Sequence, residues 1–170
     1  MVDVSDAALL ARVALGDRGA FQTLYRRTSP RLLAIALSML QDRTQAEDVL
    51  QEAYVKVWYS ADMFDAAKGE VVPWMIAIVR HLAIDRLRKT KPPDIDRMPE
   101  DGYSPQLGED SQRLQECLET LESEQRQSIF AAFFQGLTHH EIAARFEVPI
   151  GTIKSRVRRG LKALKGCLET

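Results

Sequence analysis

Between Gly151 and Gly166 the sequence reads GTIKSRVRRGLKALKG, with six Lys and Arg and no Asp or Glu, in a chain of 170 residues whose net charge is only −1. Ile153, Val157, Leu161, Leu164 and Leu168 recur at steps of four, four, three and four. At about 100° per residue these positions form one helical stripe, the side that faces a core. Lys154, Arg156, Arg158, Arg159, Lys162 and Lys165 occupy the rest of the circumference, and the helix holds no acids at i±4 to pair with them. A helix face that is merely solvated mixes signs, because uncompensated like charges repel. A helix of one sign fits a polyanion, and the phosphate backbone of nucleic acid is the common one.

The segment just before it sharpens that chemistry. LTHHEIAARFEVPIGTIKSRVRR reads as a short helix, a tight turn and a second helix with Pro149 at its start. Thr138 and Glu141 have capping-box spacing ahead of Ile142, Ala143 and Phe146. This is the pattern of a helix-turn-helix, whose second helix enters the major groove. Gly151 and Thr152 are small and stand at its leading end, while Lys154, Ser155, Arg158 and Arg159 reach base edges or phosphate oxygens.

Other chemistries find little support. The adjacent His139 and His140 point about 100° apart on a helix and lack the HExxH spacing that brings two imidazoles to one face. There is no Gly-rich phosphate loop and no nucleophile elbow, so no enzyme activity, cofactor or metal is expected. Cys117 and Cys167 are the only cysteines, and without a CxxC they do not suggest zinc. Two buried thiols are the ordinary reading. A redox-sensitive pair is the other, because a compact C-terminal bundle brings its first and last helices together and a disulfide would pin them.

These groups have to be positioned by helices, since strand signals are nearly absent and 3.6-residue periodicity recurs from end to end. The expected fold is all-α, with two small helical domains at 5–90 and 113–170 joined by a flexible acidic linker at 91–112. Four of the seven prolines fall within residues 90–112, which neither helix nor strand tolerates. Residues 94–124 hold ten acids against two bases, whereas RHLAIDRLRKTK at 80–91 is basic, so the small net charge conceals sorted faces. Asp17 is expected to open one helix, and Thr44 with Glu47 to cap the next as a capping box. No apolar run approaches the roughly 18–20 residues of a membrane span, and the acidic start has no secretory-signal pattern, so a cytoplasmic protein is expected.

In AEDVLQEAYVKVW (46–58), Ala46, Val49, Leu50, Ala53, Val57 and Trp58 make a core stripe, and Asp48, Gln51, Glu52 and Lys56 lie opposite. In FDAAKGEVVPWMIAIVRHLAIDRLRK (64–89), Trp74, Ile78, Leu82 and Ala83 supply the core. Arg80, Arg86, Arg88, Lys89 and Lys91 crowd its end, more cations than a helix dipole alone would favour. These two blocks, followed by the helix-turn-helix, resemble the ordered motifs of bacterial sigma factors of the extracytoplasmic-function group over about residues 8–168.

The resemblance implies an alternative sigma factor that binds RNA polymerase core through its beta-prime and beta subunits and directs promoter-specific transcription initiation, under an anti-sigma factor. Asp48, Gln51, Glu52 and Lys56 would dock on the beta-prime coiled coil. Phe64, Lys68, Arg80, His81, Arg86, Arg88 and Lys89 would bind the melted −10 element, with a base flipped into the loop that starts at Phe64. Gly151, Thr152, Lys154, Ser155, Arg158 and Arg159 would read the −35 element. The family usually has Asn where this chain has His81, and an imidazole does not reproduce the bidentate hydrogen bonding of an amide. The competing reading is a helix-turn-helix regulator that acts without core polymerase.

Overall fold

The computed structural model describes residues 3–90 and 108–170, which form eight α-helices and one 3-10 turn, with no strand among the described residues. The chain divides into two compact units, Met1–Arg86 and Leu87–Thr170.

The first unit is built from α1 (Asp6–Ala14), α2 (Arg18–Leu40), α3 (Arg43–Ser60) and α4 (Val71–Thr90) as far as Arg86, the last residues of α4 belonging to the second unit. Asp17 caps α2 by accepting from the Ala20 backbone N–H. That bond, reinforced by Arg12, holds the Asp17 carboxyl below the usual carboxylate range. Gly16 just before it sits at φ +84°, a conformation that glycine adopts without a steric penalty. The cap of α3 differs from the sequence expectation. Asp42, not Thr44, is the N-cap and accepts from Gln45 N–H. Gln41, at φ 54°, closes α2, so two residues turn the chain between the helices and the cap falls two positions earlier than the capping-box pattern suggests.

Ala46, Val49, Leu50, Ala53 and Val57 of α3 are buried as expected, and so is Tyr54. The Tyr54 ring lies 4.5 Å from that of Tyr25 and 6.0 Å, edge-on, from that of Phe21. Its hydroxyl meets Thr28 Oγ1 at 2.5 Å, and burial pushes the phenol up to about 12. Trp58 is only half-buried, edge-on to Phe21 at 5.3 Å. In α4 the buried stripe is Val71, Met75, Val79, Leu82 and Ala83. Trp74 and Ile78 are half-buried and flank that stripe rather than forming it. Pro30 stands inside α2 without ending the helix, where its ring removes one backbone donor.

The second unit contains α5 (Gly108–Glu119), α6 (Ser123–Phe133), α7 (His139–Phe146) and α8 (Ile150–Leu168). Helix α5 begins inside the range expected for the linker, the earlier part of which, with Lys91, lies outside the described residues. Ala131, Leu137, Ile142, Ala143, Ile153 and Val157 make one buried cluster. Cys117, Leu121, Ile129 and Leu164 make a second. The stripe on α8 runs through Ile153, Val157, Gly160 and Leu164. Leu161 and Leu168, expected in the core, are 40% and 39% exposed. The reason is a close approach of α6. A Cβ on Gly160 would lie 2.5 Å from Ile129 Cδ1, so a residue without a side chain takes the inward position and Leu161 turns outward.

Candidate nucleic-acid interface

Helix α7 is anchored by the expected capping box. Thr138 Oγ1 accepts from the Glu141 N–H at 3.2 Å, and the Glu141 carboxylate accepts from the Thr138 N–H at 2.7 Å. That second bond holds the Glu141 carboxyl below the usual range. The chain then turns through Glu147 at φ 54°, and Val148 N–H donates back to the Ala143 carbonyl at 3.1 Å. Pro149 is the N-cap of α8, contributing its carbonyl to Thr152 N–H at 2.9 Å. With Ile142, Ala143, Ile153 and Val157 locked in one cluster, α8 has a fixed inward side and therefore a fixed outward one.

Gly151, Lys154, Arg158 and Arg159 are exposed on that outward side, with Thr152 and Ser155 half-buried at its edge. No acid stands in the first turn of α8. The surface is less uniformly basic than the sequence implies. Arg156 is paired at 2.6 Å with Glu124 of α6, its side chain only 19% exposed. Lys165 meets Glu169 just past the helix, at 3.7 Å. The available cations therefore concentrate toward the leading half of α8, where a groove-bound helix meets DNA.

In the first unit, Asp48, Gln51, Glu52 and Lys56 are all exposed on α3. Beside them lie Val55, Tyr59 and Met63, at steps of four and 55%, 77% and 79% exposed. The sequence reading missed Val55 and Tyr59, although their spacing with Gln51 marks one side of α3; Met63 lies in the 3-10 turn Ala61–Met63 that follows.

Of the residues expected at the −10 site, Phe64 is half-buried with its ring 5.4 Å from Trp74. Lys68 is exposed near Asp65, at 3.8 Å, in a turn where Asp65 accepts from Ala67 N–H. On α4, His81, Arg88 and Lys89 are exposed and Arg80 is half-buried. Burial lowers the Arg80 guanidinium from its ordinary value, which still leaves it cationic at neutral pH. Arg86 is placed differently. It lies three and four residues after the buried Ala83 and Leu82, and its guanidinium faces Asp48 at 3.9 Å and Glu52 at 3.8 Å.

Cys117 of α5 and Cys167 of α8 are joined as a disulfide, with Cα atoms 5.8 Å apart. Cys117 is buried and Cys167 half-buried. Among the described residues no group of His, Cys, Asp and Glu is arranged to hold a metal ion, and no helix is long and apolar enough to cross a membrane.

Residues 24–92 match the family model of Sigma-70 region 2, and residues 111–164 that of Sigma-70, region 4. The chain is similar to the ECF RNA polymerase sigma factor SigK of Mycobacterium tuberculosis, with 34% identity covering 95% of this chain and 92% of the relative. SigK of Mycobacterium ulcerans is 33% identical over the same shares. Among solved structures, that of Rhodobacter sphaeroides SigE in complex with the anti-sigma ChrR covers 96% of this chain and 97% of the SigE chain, at 31% identity and a TM-score of 0.51. These likenesses run through both units rather than the helix-turn-helix alone, which sets aside a regulator sharing only that motif. The chain belongs to the ECF RNA polymerase sigma factors.

Proposed function

We propose that the chain gives RNA polymerase core its promoter specificity through three separate surfaces. The exposed leading half of α8, with Gly151, Thr152, Lys154, Ser155, Arg158 and Arg159, reads duplex −35 DNA. The loop from Phe64, with Lys68 and the cations and His81 of α4, holds the melted −10 strand. Asp48, Gln51, Glu52 and Lys56, with the exposed Val55 and Tyr59 beside them, dock on core. In this reading 5–90 and 113–170 act as domains and 91–112 as their spacer, and the protein works in the cytoplasm without catalysing a reaction itself. The observation that carries it is α8: its inward side is fixed by packing and its leading outward side keeps Lys154, Arg158 and Arg159 exposed.

By analogy with SigE, crystallised with its anti-sigma factor, we infer that an anti-sigma factor covers one or more of these surfaces. Transcription from genomic DNA fragments by core plus this protein, followed by mapping of the starts, tests the reading. Starts sharing a spaced pair of elements are expected. Core binding with no promoter-specific starts would refute it.

The cysteine pair supports a second role, redox control of the C-terminal domain. The bond ties α5 to α8, the helix that carries the −35 surface. Affinity for the −35 element or the anti-sigma factor should then differ between oxidised and reduced protein. Equal affinities, or two free thiols by mass after mild oxidation, would dispose of it.

A further inference from the structure

The outward residues of α8 are braced from behind. Arg156 lies two positions from both Lys154 and Arg158, which places it roughly 160° from each, on the opposite side of the helix. There Arg156 Nη2 donates to Glu124 Oε2 of α6 at 2.6 Å, with the Arg156 side chain 19% exposed and that of Glu124 65%. One turn further along α8, Gly160 lies against Gln125 and Ile129 of the same helix. Helix α6 therefore meets α8 at two adjacent levels, one apolar and one ionic, and the two restrain different motions. Apolar burial is non-directional, so it fixes how closely the helices approach. A charge-assisted hydrogen bond needs its donor and acceptor in particular places, so it opposes rotation of α8 about its own axis. At a helix radius of about 5–6 Å, a rotation of about 10° moves an outward group by roughly 1 Å. Preorganised sites hold their groups to about 0.5 Å, so base-edge hydrogen bonds are lost to such slack. Phosphate contacts carry no sequence information to lose.

We propose that Arg156, through Glu124, is a positioning residue for sequence reading by α8. It sets the rotation at which Lys154, Ser155, Arg158 and Arg159 are presented, and it touches no DNA itself. The pair governs discrimination between right and wrong duplexes rather than the phosphate attraction that all duplexes share. The proposal rests on the reading of α8 as the −35 surface.

The test uses the full-length protein bound to core polymerase and two short duplexes, titrated across a salt series. One carries the −35 element shared by the mapped starts, and in the other that element is scrambled. The ratio of the two affinities is the readout. Arg156→Ala should lower it by about five-fold or more, the low end for one lost base contact, with the salt slope on the scrambled duplex unchanged. Glu124→Ala leaves every residue of α8 in place and should lower the ratio as far; Glu124 is mostly exposed, so this variant keeps the fold. Glu124→Arg with Arg156→Glu rebuilds the pair in reverse and should recover most of the ratio. Leu118→Ala loosens the same unit from α5, away from the pair, and should leave the ratio at the wild-type value.

An unchanged ratio in Arg156→Ala or in Glu124→Ala would overturn the proposal. An equal fall in Leu118→Ala would show general loosening and overturn it too. A salt slope lower by about 0.9 at constant ratio would make Arg156 a phosphate partner, with the same consequence. The underlying reading fails separately: mapped starts without a shared element, or wild-type protein that does not distinguish the duplexes, would remove the −35 role of α8 and the proposal with it.

Discussion

Gly160 offers the most direct test of how α8 is seated. Replacing glycine by alanine inside a helix stabilises it by about 1 kcal/mol when nothing else changes. Here the new Cβ would stand 2.5 Å from Ile129 Cδ1 and 3.4 Å from Gln125 Cβ. Ile129 is 5% exposed and sits among Cys117, Leu121 and Leu164, so its terminal methyl has little room to retreat. Overpacking of this kind costs about 1–3 kcal/mol. Gly160→Ala should therefore be a net loss of roughly 0–2 kcal/mol, the cost of the clash less the gain in helix propensity. Ile129→Val removes the clashing atom and alone costs about 0.5–1.5 kcal/mol. In that background Gly160→Ala should become stabilising, because the next neighbours, Gln125 Cβ at 3.4 Å and Ile129 Cγ1 at 3.5 Å, are at ordinary contact distance. The two substitutions should thus couple favourably by at least about 1 kcal/mol. Urea titrations resolve this without separating the units. Both tryptophans, Trp58 and Trp74, lie in the first unit, so fluorescence follows that unit while far-UV circular dichroism follows both. The transition absent from the fluorescence should move, and the fluorescence transition should stay. Stabilisation by Gly160→Ala alone, with no coupling to Ile129, would refute the close packing of α6 on α8.

Four further outcomes follow from the same geometry. Lys154→Ala or Arg158→Ala should weaken −35 DNA binding and reduce its salt slope by about 0.9 for each phosphate no longer neutralised, with core affinity unchanged; an unaltered slope in filter binding would remove these residues from the interface. Arg156→Ala should leave that slope alone and lower the stability of the C-terminal unit by about 0.2–1 kcal/mol, the usual range for a partly exposed pair, as measured by urea titration. Tyr54→Phe should cost about 1 kcal/mol through its bond to Thr28. Because the folded phenol titrates near 12 against an ordinary 10.0, the folded state holds its proton longer, so Tyr54 draws stability down as pH rises from 10 toward 12; Tyr54→Phe should flatten that fall in the fluorescence transition. Reducing the Cys117–Cys167 bond, which spans 50 residues, should destabilise the C-terminal unit by up to roughly 4 kcal/mol on the chain-entropy model, read by circular dichroism with and without reductant.

What the sequence reveals of this molecule divides by the range of the interaction responsible. Asp17 as an N-cap and the Thr138–Glu141 capping box are legible because donor and acceptor lie within three residues of each other. The inward sides of α3 and of the first half of α8 are legible because periodicity is local. Thr44 misleads because the left-handed Gln41 ends α2 early enough for Asp42 to act as the cap, and a side-chain pattern does not report a backbone angle. Leu161 misleads because hydrophobicity ranks it above Gly160. The deciding fact is the approach of Ile129, 31 positions away, which only a glycine accommodates. Trp74 misleads for a related reason: a large apolar ring need not lie in the central stripe when it can rest half-buried against Phe64.

The same distinction governs the functional charges. In one dimension Arg156 and Arg158 are equivalent members of one basic run, and Arg86 belongs to another. In the fold, Arg156 is occupied by Glu124 and Arg86 by Asp48 and Glu52, partners 32, 38 and 34 positions away. A cation's reach toward a phosphate therefore depends on which acid its helix was folded against, and composition carries no record of that. This is why removing a basic residue is an ambiguous experiment for this protein. On the proposed reading Arg158→Ala subtracts a phosphate partner, whereas Arg156→Ala subtracts a brace between α6 and α8 and Arg86→Gln a cation that faces Asp48 and Glu52. All three lower the positive charge by one, yet they should differ in salt slope, urea midpoint and core affinity. Affinity for DNA at a single salt concentration would confuse them.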